Sequence, residues 1–198
     1  MKVSARAEAE KLVDPQSPVW ESAESVTVPL AKVPVESQPN EYIRAAWADR
    51  GYGETEDAQL QALTSDGRLY VRVSWADDSR SNGEFPDAVA VIFGEGDSLA
   101  TLGRRNAPVE LWYWEDTRAG PLAITSSGPG VFKRHDANGL EAESSLQDSR
   151  WNVVLCGPQE AAANGRLGVA VWNGSNDERA GLAAVSREWE SLETEQAS

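Results

Sequence analysis

The chain is short of almost every residue type that builds a metal or redox centre. It has one cysteine, one histidine and one methionine in 198 residues. A single cysteine, Cys156, excludes a disulfide framework, a cysteine-held zinc and an iron–sulfur cluster belonging to this chain alone. Cys156 is expected to be a small core residue on a strand. With His135 as the only imidazole, no His/Cys metal cluster can be assembled, and a Ser–His–Asp triad would have to run through that one residue. The sequence around it, Phe132-Lys133-Arg134-His135-Asp136, reads as a solvated polar loop. Long apolar runs are also missing. None approaches the roughly 18 residues that cross a bilayer, so no direct membrane span is expected. Met1 to Val13 is charged and has no apolar h-region, so no secretory signal is visible. On that reading the chain is cytoplasmic, or it leaves the cell folded with a signal-bearing partner. Phosphate-cradling glycine motifs are absent as well: Gly94-Glu95-Gly96 runs into Asp97, and acidic flanks repel phosphate.

What the chain has is acid. Asp and Glu number 32 against 18 Lys and Arg, a formal net charge of -14. Only Lys2, Lys11, Lys32 and Lys133 are lysines; the other basic residues are arginines. This balance reads as a salt-adapted, halophilic surface, because self-repulsion at such a charge is relieved by screening. It also argues against nucleic acid as a partner, since no basic stripe is available to neutralise phosphates. Carboxylate number follows from composition and does not by itself support a paired-carboxylate glycosidase.

Period-two patterning dominates. The fold class expected is all-β: an antiparallel β-sandwich with long loops and little helix. The clearest signal is a hairpin, Ala58 to Thr64 and Arg68 to Trp75 around Ser65-Asp66-Gly67. Pro86 to Phe93 is a near-continuous apolar run, suited to a strand buried on both faces. Pro108 to Trp114, Trp151 to Cys156 and Arg166 to Trp172 are further strands, and Pro121 to Thr125 a short one. Val26, Val28 and Leu30 alternate, but Pro29 and Pro34 lack an N–H, which predicts an edge strand. Residues 36–57 read as a long loop with one helical turn at Tyr42 to Trp47, and Ser126 to Gly130 as a mobile turn. The organisation predicted is an N-terminal arm over 1–13, which Trp20 anchors to the core, a single domain over 14–192 and a disordered tail over 193–198.

Two features point to ligands. Trp112 and Trp114 lie two residues apart on one strand and share a face. They either fill the sandwich core or form a stacking platform for a sugar or a porphyrin, and the sugar case makes a carbohydrate-binding module the alternative function. The second feature is the corner from Val169 to Ser186, in which a strand ending at Trp172 breaks at Asn173 to Asp177 and returns as a short apolar run. Asn173-Gly174-Ser175 within it is also a glycosylation sequon, meaningful only for an exported protein.

Five pieces in order carry a resemblance: Leu69 to Asp77, Phe85 to Val91, Pro108 to Trp114, Arg150 to Val154 and the Val169 to Ser186 corner. The set resembles the haem b-binding γ subunits of type II dimethyl sulfoxide reductase-like molybdoenzymes, over roughly residues 14–192. The resemblance implies a β-sandwich and a non-catalytic role beside a molybdopterin catalytic subunit and an iron–sulfur subunit, in a nitrate reductase-like complex. It also implies a b-type haem that relays electrons. In that family the iron is held by a methionine before a glycine, ahead of the Trp-Tyr-Trp strand, and by a lysine in the C-terminal corner. Here the corresponding pocket positions are Leu102 and Gly103, Trp114, Gly181 and Ala183. Neither Leu102 nor Ala183 offers a lone pair to iron, so the haem is either lost or held by other groups, with Lys133 and His135 as the fallback donors.

Overall fold

The computed structural model describes residues 1–5, 12–78, 80–81 and 83–194. The expected all-β sandwich is what the chain forms. The strands are β1 (Lys2–Ala5), β2 (Val26–Lys32), β3 (Asp57–Ser65), β4 (Arg68–Ala76), β5 (Ala88–Phe93), β6 (Val109–Glu115) and β7 (Leu122–Ser126). They continue as β8 (Phe132–His135), β9 (Glu141–Gln147), β10 (Arg150–Pro158), β11 (Arg166–Trp172), β12 (Ala184–Ser186), β13 (Glu190–Ser191) and β14 (Glu193–Thr194). Among the described residues, α1 (Glu41–Trp47) is the α-helix, and Asn40 caps it by accepting from the Tyr42 N–H at 2.9 Å.

The hydrogen-bonded order is β8-β7-β6-β5-β11-β12-β2-β3-β4-β10-β9, with β1 beside β3. This ribbon folds over on itself at β2. The first sheet runs from β2 to β9 and the second from β8 to β12. Side-chain alternation then gives each sheet an inner and an outer face. The inner faces meet in the main core. From the first sheet come Leu60, Val71, Val73, Trp75, Trp151 and Leu155, and from the second Val89, Val91, Phe93, Trp112, Trp114 and Val169. Trp114 meets Trp151 edge-on at 5.2 Å between ring centroids, and Trp151 stacks on Trp75 at 6.2 Å. Such pairs contribute about 0.5–1.5 kcal/mol each beyond the area they bury.

β5 is buried along its whole length because the outer face of its sheet is covered as well. The β3–β4 hairpin turns at Asp66 and Gly67, both at positive φ, as a two-residue hairpin loop demands.

Four expectations change. β2 is not an edge strand: Val26 to Pro29 pair with β3, and Leu30 to Lys32 pair with β12. Pro29 sits where the strand leaves one sheet for the other: it faces Asp57 of β3, and its carbonyl accepts from the Arg187 N–H just beyond β12 at 3.2 Å. His135 lies on a strand, β8, rather than in a loop, and β9 is a polar strand that apolar periodicity could not reveal. Ser126, expected in a mobile turn, is fully buried. Glu193–Thr194, the start of the predicted tail, pairs with β1 as β14. The helix-friendly stretch of the N-terminal arm and the rest of the tail lie outside the described residues. Trp20 is buried, as anticipated, against Leu63, Tyr70 and Val154 on the outer face of the first sheet. Cys156 is a buried core residue of the same cluster, and Arg68 Nε donates to its sulfur at 3.0 Å.

Candidate functional site

The outer face of the second sheet gathers most of the positions singled out in the sequence. β5, β6, β7 and β11 present Ala90, Ile92, Leu111, Ile124, Ala170 and Trp172 on this side. Two segments lie across them. One is the loop after β5, whose 3-10 turn Leu99–Thr101 leads into Leu102 and Gly103. The other is the corner between β11 and β12. The loop can lie flat because Gly168 has no Cβ; one there would stand 2.5 Å from Leu99 Cδ1. The 3-10 turn in turn packs against β12.

Leu102 and Ala183 therefore join one apolar cluster, and both are fully buried in it. Leu102 adopts the left-handed conformation, φ 51°, which is uncommon for a residue with a side chain. Local bonds hold it there. Its N–H donates to Leu99 O at 3.0 Å, the Gly103 N–H to Ser98 O at 2.8 Å, and the buried Ser126 hydroxyl to Leu102 O. Gly103 has φ 93°, and a Cβ there would fall 2.2 Å from Ser126 O, so only glycine fits.

The corner is pinned from behind. The Glu178 carboxylate is 2% exposed and accepts from the Gly53 N–H at 2.7 Å, the Asn173 N–H at 2.9 Å and Asn176 Nδ2 at 3.2 Å. Burial raises its pKa above the usual carboxylate value, while these hydrogen bonds pull the other way. Asp87, fully buried, accepts from the Gly174 N–H at 2.9 Å and the Ser81 N–H at 3.0 Å. The corner's carbonyls are also engaged. Ala180 O accepts from Trp172 Nε1 at 2.9 Å, Gly181 O from Gln38 Nε2 at 2.7 Å, and Ala183 O from the Val33 N–H at 2.9 Å. Sequence reading found the corner but not these holders. Asp87 and Gln38 are 87 and 143 residues from their partners, and no spacing rule joins them.

The other candidate residues fall elsewhere. Trp114 points from β6 into the inter-sheet core. Lys133 and His135 pair with Thr125 and Ala123, and by alternation they project on the opposite side of the second sheet from Leu102 and Ala183. Both are exposed, and His135 Nε2 lies 2.7 Å from Thr125 Oγ1. The single methionine, Met1, is in the main core.

Haem would need an axial donor and room. A cleft of 300 Å³ does open beside Gly103, lined by Thr101, Arg104, Ser127, Pro129 and Val131 among others. Its walls carry no imidazole, thioether, thiol or lysine. Beneath it the positions of Leu102 and Ala183 are filled with the chain's own side chains. The residues present do not fit a ligated haem. Among the described residues no group of three or more His, Cys, Asp or Glu is placed to hold a metal ion. Trp112 and Trp114 are 6% and 5% exposed, which removes them as an external stacking platform.

The class the fold defines is an antiparallel β-sandwich whose second sheet is covered by a loop and a pinned corner, and the likeness to solved structures agrees with that fold. A family 9 carbohydrate-binding module from Caldicellulosiruptor kristjanssonii, solved with glucose, superposes with a TM-score of 0.57 at 13% identity, covering 100% of this chain and 96% of that one. At that identity the likeness speaks for the fold alone. No family model matches the chain. Curated relatives are more specific. The chlorate reductase γ subunit of Ideonella dechloratans is 32% identical over 194 residues, 88% of this chain and 77% of that protein. A respiratory nitrate reductase haem subunit of Haloferax mediterranei is 31% identical over 193 residues, and the dimethylsulfide dehydrogenase γ subunit of Rhodovulum sulfidophilum 25% over 198. They are covered to 66% and 73% of their own length, so the chain spans just under two thirds of the Haloferax protein. The chain belongs to this family, the haem-binding γ subunits of respiratory reductases and related dehydrogenases.

Proposed function

We propose that the chain is a haem-free γ subunit: a non-catalytic, structural member of a molybdopterin and iron–sulfur oxidoreductase complex of the nitrate reductase type. The observation that carries this is the closed state of the outer face. Leu102 and Ala183 are both fully buried in one apolar cluster, and neither can donate to iron. Electron relay through a b-type haem would need a donor that this face lacks. What remains is a rigid sandwich with a pinned corner, suited to packing on other subunits. Among the described residues no helix is long and apolar enough to cross a membrane.

Purification from the native host under non-denaturing conditions tests the reading. The expected result is co-elution with larger subunits that carry molybdenum and iron, and no stoichiometric haem in this chain by pyridine haemochrome assay. A haem that stays with the isolated chain would overturn the haem-free reading. A chain that elutes alone, with neither metal, would overturn the subunit reading.

A further inference from the structure

The outer face of the first sheet carries a cationic, polar group with buried donors that have no acceptor. Alternation brings Gln61 of β3, Arg72 and Ser74 of β4, Arg150 and Asn152 of β10 and Ser145 of β9 to the same side. Asn152 stands opposite Ser74 on one flank and Ser145 on the other. Arg72 Nη1 donates to Gln61 Oε1 at 2.8 Å and Nη2 to Asn152 Oδ1 at 2.8 Å; Ser74 Oγ donates to the same Asn152 oxygen at 2.7 Å. Gln61 in turn donates to the carbonyls of Trp20 and Ala23, which fixes one border of the group. Every acceptor offered to Arg72 is neutral.

Five other arginines find carboxylates: Arg50, Arg68, Arg80, Arg104 and Arg118 each lie within 4 Å of one. Some, such as Arg44 and Arg179, donate to backbone carbonyls instead. Arg72 and Arg150 form no ion pair among the described residues, in a chain with 32 acidic side chains against 18 basic ones. Glu143 of β9 is on the same face, across Val154 from Arg72, and is not paired with it. Three side-chain atoms of the group are buried without a hydrogen-bond partner: Arg72 Nε, Arg150 Nη1 and Ser145 Oγ. All three can donate. Buried donors without acceptors are rare in folded proteins and call for a cause. Burial and the neighbouring Arg150 charge lower the Arg72 pKa, as expected where positive charge has no local partner.

Donors gathered around guanidinium groups suit an oxyanion, and a carboxylate most closely, because the planar fork matches its two oxygens. The clefts beside Leu69, Asp77 and Gly103 are not lined by these residues. On a flat sheet a small free anion stays hydrated, whereas a carboxylate borne by a protein surface arrives with the area that excludes water. We infer that this face docks a partner protein, which delivers one or more Asp or Glu carboxylates to Arg72 and Arg150. The surrounding negative charge of the chain steers such a partner away from other faces and towards this one. The inference rests on the reading of the chain as a subunit of a complex and names the face that would make it one.

The test measures reassembly of the full-length chain with the partner subunits purified from the native complex. R72Q/R150Q is expected to weaken assembly at least about tenfold and to flatten its salt dependence, as for loss of charge pairs across an interface. R134Q, altered on the other sheet, should assemble like wild type. A double variant that melts like wild type and assembles with unchanged affinity overturns the inference. R150Q alone serves if the double variant is unstable, with the same two outcomes at a smaller fold-change. Acetate or sulfate that stabilises the isolated wild type but not R72Q/R150Q, with assembly unaffected, would make the face a free-oxyanion site and overturn the assignment to a partner. A native preparation with no partner subunits overturns this inference together with the proposed function, whereas a complex that ignores both arginines overturns this inference alone.

Discussion

On the outer face of the second sheet, Leu102 and Ala183 are fully buried and every corner carbonyl named above has a donor. On the outer face of the first, Arg72, Arg150 and Ser145 keep buried donors with nothing to bind. Both faces come from alternating strands of one ribbon, β5, β6, β7 and β11 for the closed face and β3, β4, β9 and β10 for the other. The first case shows how a ligand face can close. An apolar residue at each donor position lets the covering loop and the corner merge with the core, and the one polar side-chain atom of the corner buried without a partner, Asn173 Oδ1, is an acceptor rather than a donor. The second is the opposite situation. A buried polar atom without a partner costs about 1–3 kcal/mol. A face needed only for stability would be cheaper in apolar residues. Retained donors are better explained by something that binds them than by packing.

The strongest way to break the contrast is to put a donor back on the closed face. Ala183→Lys would bury an ammonium in an apolar cluster. It is expected to cost about 3–5 kcal/mol, in the range of an uncompensated buried charge. Urea denaturation at high salt checks it. A variant as stable as wild type would mean that the corner opens easily and that the face is not closed. Leu102 comes next. Leu102→Ala leaves a cavity in the same cluster and should cost about 2–5 kcal/mol. Leu102→Met conserves volume and should cost under about 1.5 kcal/mol. If the alanine variant lost nothing, Leu102 would be a lid on a pre-existing hollow rather than part of the core.

How much of this was legible in the sequence follows from which interactions are local. The β3–β4 hairpin and the run to Phe93 were readable because periodicity and turn chemistry are short-range signals. β9 was invisible, since Glu141–Gln147 is a polar edge strand held by backbone bonds to β10. β2 was misplaced because proline was weighed as a defect, and its position at the switch between sheets is a long-range fact. At the site, the absence of donors at Leu102 and Ala183 was visible in residue identity alone. That the two positions share one cluster was not, because it depends on β5, β11 and β12 being neighbours. Trp114 shows the limit of position matching: one residue along β6 decides which side of the sheet a side chain faces. Arg72 and Arg150 gave no signal, being 78 residues apart and unremarkable in isolation.

A smaller effect tests what keeps the corner closed. Glu178→Gln replaces an acceptor oxygen with an amide NH₂ among three N–H donors, and should cost about 1–3 kcal/mol near neutral pH. The pH dependence has a definite sign. The folded pKa of Glu178 is raised, so the protonated form favours the folded state. That contribution is complete below the unfolded value, about 4.3, and is lost as pH rises through the folded value. Wild-type stability measured against Glu178→Gln should therefore rise on acidification from neutral pH. A difference that stays flat would show that the hydrogen bonds cancel the burial.

The smallest expected effect concerns Tyr52, which joins the corner to the strand before it. Its ring lies edge-on to Trp47 at 5.7 Å, it packs in one cluster with Leu182, and its hydroxyl donates to Val33 O. Val33 is the residue whose N–H donates to Ala183 O, so Tyr52 braces the segment that holds the closed face. Burial first, then the charges of Glu36 and Glu178, push its pKa up to about 12. Tyr52→Phe removes one buried hydrogen bond and should cost about 1 kcal/mol near pH 8. A phenol whose folded pKa is raised contributes stability that is whole below the unfolded value, about 10, and declines as pH rises through the folded one. The gap between wild type and Tyr52→Phe should accordingly narrow above pH ~10, while Tyr70, also raised to about 12, titrates in both proteins and cancels. If the gap were absent at all pH values, the Val33 contact would be dispensable and the corner would be held by Glu178 and apolar packing alone. A gap that persisted undiminished to high pH would mean that the hydroxyl ionises equally in the folded and unfolded chains, so that burial does not raise its pKa. Denaturation at two alkaline pH values, followed by tyrosinate absorbance, separates these cases.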